Sequence, residues 1–304
     1  MNFIAVIFWN RGERRLRAGW RLGVQLLAMI LVGTVWQLGV PGEQDEATIS
    51  AIGSRVLWLV VILGAWRVLD RRTIGEMGLR IDGRWWLECL GGFVLGGILI
   101  GGVFMCEWRV GWVVIQSGGG AAAVSSAPVF LGVSVLFYYV VVGFFEEAYF
   151  RGYLLRNFAD GVRCRWLGEA GALLIAAGVT AILFASAHIM TPSVTWLSKM
   201  NTLLAGVMLV YLVLARGNLA AAIGFHIGWN YLQGGVLGFA VSGGEATRSW
   251  IVIEQSGPEV WTGGAYGPEG GLLGTLAFSV GLLAVATHQL IWGRLAEKRI
   301  ANEE

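Results

Sequence analysis

Charge is scarce in this chain. Of 304 residues only 14% are Asp, Glu, Lys or Arg, against 56% hydrophobic, and the mean hydropathy is +0.66. That balance excludes an ordinary soluble domain, in which about a quarter of the residues are charged. The net charge of +2 offers no electrostatic footprint for a nucleic-acid partner. Cysteine is rarer still: Cys89, Cys106 and Cys164 are widely spaced, form no Cys-x-x-Cys pair, and lie in or beside apolar segments, where cysteine behaves as a small hydrophobe. Histidine occurs three times, and no His-Glu-x-x-His is present. No long inverted repeat of the kind many transporters carry is found.

What is abundant is apolar sequence in lengths that span lipid. A helix needs about twenty residues to cross a hydrocarbon core. On that ruler about eight spans are expected, near 22–40, 49–69, 86–106, 129–155, 169–190, 200–215, 218–240 and 271–293. The expected fold is all-α: a polytopic helical bundle forming one integral membrane domain over 1–304. The first span follows a basic segment, but it is long, lacks a small-x-small cleavage site and ends in Pro41-Gly42-Glu43, so a retained anchor is expected. Arg11, Arg14, Arg15, Arg17 and Arg21 favour a cytoplasmic N-terminus, with Glu43 to Glu46 outside. An even number of spans returns the basic stretch Arg294–Arg299 to the same side. Glycine pairs at 91–92, 96–97 and 101–102 create the Gly-x-x-x-Gly spacings Gly92–Gly96 and Gly97–Gly101, read as close helix packing. The longest polar stretch, about 242–270, is a Gly-rich extramembrane loop.

Ionisable residues inside such a chain are costly, which makes each one a functional-site hypothesis. Glu147 and Arg151 are four apart and share a helix face, so they can pair, while Glu146 points about 100° away and is free for another task. An unpaired carboxylate in a low-dielectric cavity can take a proton from water and return it to a leaving amine. The competing reading is a helix end whose charges snorkel to the interface. Phe184 and His188 lie one turn apart, and His188 alone reads more readily as an interfacial or hydrogen-bonded packing residue than as a catalyst. His226 and Asn230 share a face and could donate to an oxyanion or simply bond across helices. His288, with no motif around it, is read as structural.

Glu-Glu-x-x-x-Arg, Phe-x-x-x-His and His-x-x-x-Asn, in this order on successive apolar segments, resemble the CPBP intramembrane endopeptidase family. That family includes the type II CAAX prenyl proteases and the bacteriocin self-immunity (Abi-like) proteins. The resemblance covers residues 128–240, with Gly152 to Leu155 after the first motif and a weaker likeness at Ile74 to Leu79. It implies that Glu146 activates water with help from His188, that Glu147 and Arg151 form a supporting pair, and that His226 and Asn230 hold the oxyanion. It implies no soluble cofactor. Zn²⁺ is the alternative, with Glu146, His188 and His226 as its ligands. The expected function is hydrolysis of a peptide bond in a membrane-associated protein or peptide. The alternatives are a non-catalytic immunity or peptide-sensing protein of the same fold and, less favoured, a proton-coupled transporter. The arginine-rich ends and compact layout suggest a bacterial plasma membrane, where leader peptides, pheromones or bacteriocin-related peptides replace prenylated substrates. One conflict stands: with these span boundaries Glu146 lies below the middle of the membrane and His188 near the opposite end, so the two could not meet.

Overall fold

The computed structural model describes residues 7–39, 44–116, 128–245 and 249–303. Residues 41–43, where the first span is expected to end, lie outside them. A short antiparallel hairpin, β1 (Trp9–Asn10) with β2 (Arg15–Leu16), leads into α1 (Ala18–Gly39) and α2 (Gln44–Val68). After a 3₁₀ turn at Ile74–Met77 come α3 (Gly83–Arg109), the strand β3 (Val113–Ile115) and α4 (Pro128–Glu147). The chain continues through a π-helical turn, Ala148–Leu154, into α5 (Leu155–Val162), followed by α6 (Gly168–Ala187) and α7 (Trp196–Arg216). Then come α8 (Ala220–Asn230), a second π turn at Tyr231–Val236, the strand β4 (Ile253–Gln255) and the long α9 (Leu272–Glu303).

Seven of these helical segments are long and apolar enough to cross a membrane, and the protein is an integral, multi-pass membrane protein. The segment expected at 218–240 is the exception. Its α8 has only 11 residues, ten of them buried, so it is shielded by the other helices instead of facing lipid. It nevertheless runs from one end of the bundle towards the other. Leu219 at its start donates its N–H to Gly78 O at 3.1 Å, while Gln233 just past its end reaches Glu269 in the opposite cap. With that passage counted, α1 and α9 both have their outer ends on the face that carries Arg15 and Arg21; Gln289 meets Ala215 O near the end of α7.

The tightest crossing, α3 on α8, is made by glycine on both sides. A Cβ on Gly92 or Gly96 would collide with the backbone of Ala221 or Phe225, and one on Gly224 or Gly228 with that of Cys89 or Phe93. Backbones this close replace side-chain packing with direct van der Waals contact, the device helices use where lipid gives no hydrophobic drive. Of the two expected spacings, Gly92–Gly96 is this interface. Gly97 instead faces the Leu232 side chain, and Gly101 faces open space.

At the far end, β3 pairs antiparallel with β4, Val114 opposite Glu254. Residues 238–245 and 249–271 fold over the helix ends in short turns. Asn201 anchors it, donating to Glu269 O and Gly271 O at 2.8 Å each. Gly243 (φ +81°) lies so close to Pro192 O that no side chain would fit.

Candidate active site

Glu146 and Glu147 end α4 just before the helix widens into its π turn, a local irregularity that often marks functional positions. Glu147 and Arg151 are both fully buried and pair at 3.0 Å, as their spacing predicts. Arg151 also donates to Gly206 O at 3.3 Å, and its guanidinium lies 4.2 Å over the Phe184 ring. A planar guanidinium satisfies a carboxylate, a carbonyl and an aromatic face at once, which an ammonium would not.

His226 on α8 joins this pair to the remaining carboxylate. Its Nδ1 lies 2.9 Å from Glu147 Oε1, and its Nε2 faces Glu146 Oε2 at 3.8 Å. A carboxylate can only accept, so Nδ1 carries the proton. Although the two glutamates diverge along the helix, one imidazole reaches both because its nitrogens lie on opposite edges of the ring. Glu147 is thus held through Oε1 by Arg151 and His226, whereas among the described residues Glu146 takes no hydrogen bond; the Oε2 atoms of both are buried without one. The imidazole beside Glu146 is therefore His226, where the sequence points to His188.

His188 caps the end of α6, its Nδ1 2.9 Å from Phe184 O and its ring 4.9 Å from the Phe184 ring. A carbonyl also only accepts, so the neutral ring keeps its lone pair on Nε2. Phe184 is the hub that sequence reading underrated. It meets Phe150 edge-on at 5.3 Å and His226 at 6.1 Å while it carries Arg151 on its face. Its place in Phe-x-x-x-His is the only sequence signal for that role.

The depth conflict dissolves because the fourth span runs on to Val162. Glu146 lies sixteen residues before that end, and His188 twenty after the start of α6 at Gly168. At ~1.5 Å per residue they stand about 24 and about 30 Å from the connecting turn, the same level to within one helical turn or so. The Arg151–Phe184 contact fixes this register. Asn230, half-buried, lies one turn beyond His226 where α8 gives way to its own π turn.

Glu146, His188 and His226 do not form a three-ligand metal site. Among the described residues no group of three or more His, Cys, Asp or Glu side chains could hold an ion.

A family comparison matches residues 128–232, which hold Glu146, Glu147, Arg151, His188, His226 and Asn230. No curated protein and no solved structure gives a significant match to the chain. The matched stretch runs from α4 into the second π turn and contains the whole carboxylate–imidazole–guanidinium cluster, and over residues 128–232 the chain is similar to the type II CAAX prenyl endopeptidase Rce1-like family.

Proposed function

We propose that the chain is an intramembrane endopeptidase that hydrolyses a peptide bond of a membrane-associated protein or peptide. Residues 128–240 form its catalytic core within one membrane domain over 1–304. The observation that carries this reading is the unequal company of two adjacent carboxylates: Glu147 takes Arg151 and His226 at Oε1, whereas Glu146 takes no hydrogen bond at either oxygen and meets only His226 Nε2, at 3.8 Å from its buried Oε2. A buried acceptor left open in this way suits a water, and a carboxylate beside a water is a general base.

Glu146 takes a proton from water as the water oxygen attacks the scissile carbonyl carbon, with the Nε2 lone pair of His188 assisting. The carbonyl π pair moves onto oxygen, and His226 and Asn230 donate to that oxyanion. With Nδ1–H given to Glu147, donation from Nε2 makes His226 an imidazolium. Two carboxylates then balance Arg151 and His226, and the cluster is neutral. Collapse of the intermediate breaks the C–N bond as Glu146 returns its proton to the amine, leaving an acid and an amine. Arg151 and Glu147 position His226. The location that fits the charge pattern is a bacterial plasma membrane with both termini cytoplasmic.

The test is cleavage of a quenched peptide library by the purified protein, comparing wild type with Glu146→Ala and His188→Ala, each with and without a strong chelator. Chelator-resistant cleavage lost in both variants supports the reading. Loss with chelator and rescue by Zn²⁺ overturns the metal-free mechanism. No cleavage by a wild type that still functions in cells favours a binding protein of the same fold.

A further inference from the structure

The opposite end of the bundle holds a second set of charges that hydrolysis does not use. Asp160 on α5 is shared by three arginines, with Arg15 and Arg21 at Oδ2 (3.2 and 3.0 Å) and Arg72 at Oδ1 (3.1 Å). Asp70 is buried against Arg21 at 3.0 Å, and Arg163 meets Glu13 at 3.0 Å. Glu76 Oε2 is taken by the N–H and hydroxyl of Thr73, at 2.6 and 2.7 Å. Arg156 has no such close partner: among the described residues its guanidinium forms no hydrogen bond or ion pair, its Nε is buried, and Asp160 attracts it only from beyond ion-pair distance.

Arg156 lines a cavity of about 260 Å³ together with Arg72 and Arg163, and Ala172 and Leu173 of α6 form an apolar wall. The carboxylates at its edge are Asp160 and Glu76, already committed, and Glu169, whose side chain is 90% exposed and meets Arg163 at 3.8 Å. The cavity sits where α5 ends and α6 begins. Beside it Trp166 is 87% exposed, with the Arg165 guanidinium stacked 5.1 Å from its ring centroid. Tryptophan and arginine in such a turn mark the level of lipid headgroups.

We propose that this cavity binds a phosphate group, presented by the headgroup of an anionic phospholipid, with Arg156 as its principal ligand and Arg72 and Arg163 beside it. A half-buried guanidinium whose nearest carboxylate, Asp160, is already shared by three other arginines is costly, and a bound anion lowers that cost. Guanidinium forks match phosphate oxygens in geometry and charge, and the wall of Ala172 and Leu173 suits the apolar glycerol–acyl part of a lipid. Inorganic phosphate shares the recognised chemistry but lacks the part that would use that wall.

The test is native mass spectrometry of the full chain in detergent, titrated separately with phosphatidylglycerol, phosphatidylcholine and inorganic phosphate. Wild type, Arg156→Gln and Arg165→Gln are compared, the last removing an exposed cation outside the cavity. Wild type and Arg165→Gln are expected to retain one phosphatidylglycerol, and Arg156→Gln to bind it about tenfold more weakly, the loss of one charge-assisted contact. Displacement of the lipid by phosphate would support phosphate as the recognised group. Retention of inorganic phosphate alone would overturn the lipid source, and equal retention of phosphatidylcholine the requirement for an anionic lipid. Equal phosphatidylglycerol binding by wild type and Arg156→Gln would overturn the site. Should Arg156→Gln fail to fold, Arg163→Gln at the more exposed rim is expected to weaken binding several-fold, and unchanged binding there would count against the proposal equally.

Discussion

His226 Nδ1 lies 2.9 Å from Glu147 Oε1, and the same carboxylate oxygen receives Arg151 Nη1 at 3.0 Å. One oxygen therefore binds α8 to the α4 helix end, and its two donors fix both the ring orientation and the tautomer of His226. Glu146, one residue earlier, meets only the far edge of the same ring.

Removing Arg151 leaves Glu147 buried with His226 as its sole partner. Breaking a buried pair on one side typically costs about 3–5 kcal/mol, so Arg151→Ala is expected to lower thermal stability markedly as well as kcat. Arg151→Lys is expected to recover little, since an ammonium cannot pair with Glu147, bond Gly206 O and stack on Phe184 together. Melting in detergent and kcat on a cleaved peptide check both; wild-type behaviour of the lysine variant would contradict the planar-fork argument.

Glu146→Gln should behave oppositely. Glu146 takes no hydrogen bond where Glu147 takes two at Oε1, so its loss should change stability little while removing a general base, an effect of about 10²–10⁴-fold on kcat. Glu147→Gln, in contrast, should lose stability and activity together. If the two variants lost stability alike, the division of labour between them would be wrong.

The local part of this site was readable from the sequence, and the part set by tertiary register was not. Helical spacing placed Glu147 beside Arg151, and hydropathy located the spans. That one imidazole reaches both glutamates depends on how α8 sits against α4, which spacing cannot convey. The π turns after Glu147 and Asn230 have no compositional mark, and the fourth span, expected to end at 155, runs on to Val162 through the polar Arg156, Asn157 and Asp160 that hydropathy excludes. Gly224 and Gly228 passed unnoticed because their significance lies in facing Gly92 and Gly96. The three arginines on Asp160 come from distant segments, read from sequence only as topology signals.

The glycine crossing gives a graded test. Gly224→Leu must push α8 away from the backbone at Cys89, and overpacking of this kind costs about 1–3 kcal/mol or more. Gly102→Ala, where an added Cβ meets nothing within 4 Å, should be neutral or stabilising by about 0.4–1 kcal/mol. Thermal unfolding of both variants decides this, and equal melting temperatures would exclude a backbone-contact interface.

Glu269, in the cap outside the spans, makes stability depend on pH. Burial raises its pKa above the ordinary 4.5, against the lowering effects of Gln233 and Ser242, which bond to the carboxylate, and of nearby His188. A carboxyl whose folded pKa is raised contributes its full stability below the unfolded value and loses it as pH rises through the folded one. The cap is therefore expected to loosen towards alkaline pH, with faster amide exchange across residues 238–245 and 249–271. Glu269→Gln keeps one acceptor oxygen for Gln233 but cannot ionise, so its exchange should lose much of that pH dependence once the intrinsic base catalysis of exchange is subtracted. An unchanged pH dependence in the variant would show that Glu269 does not carry the effect.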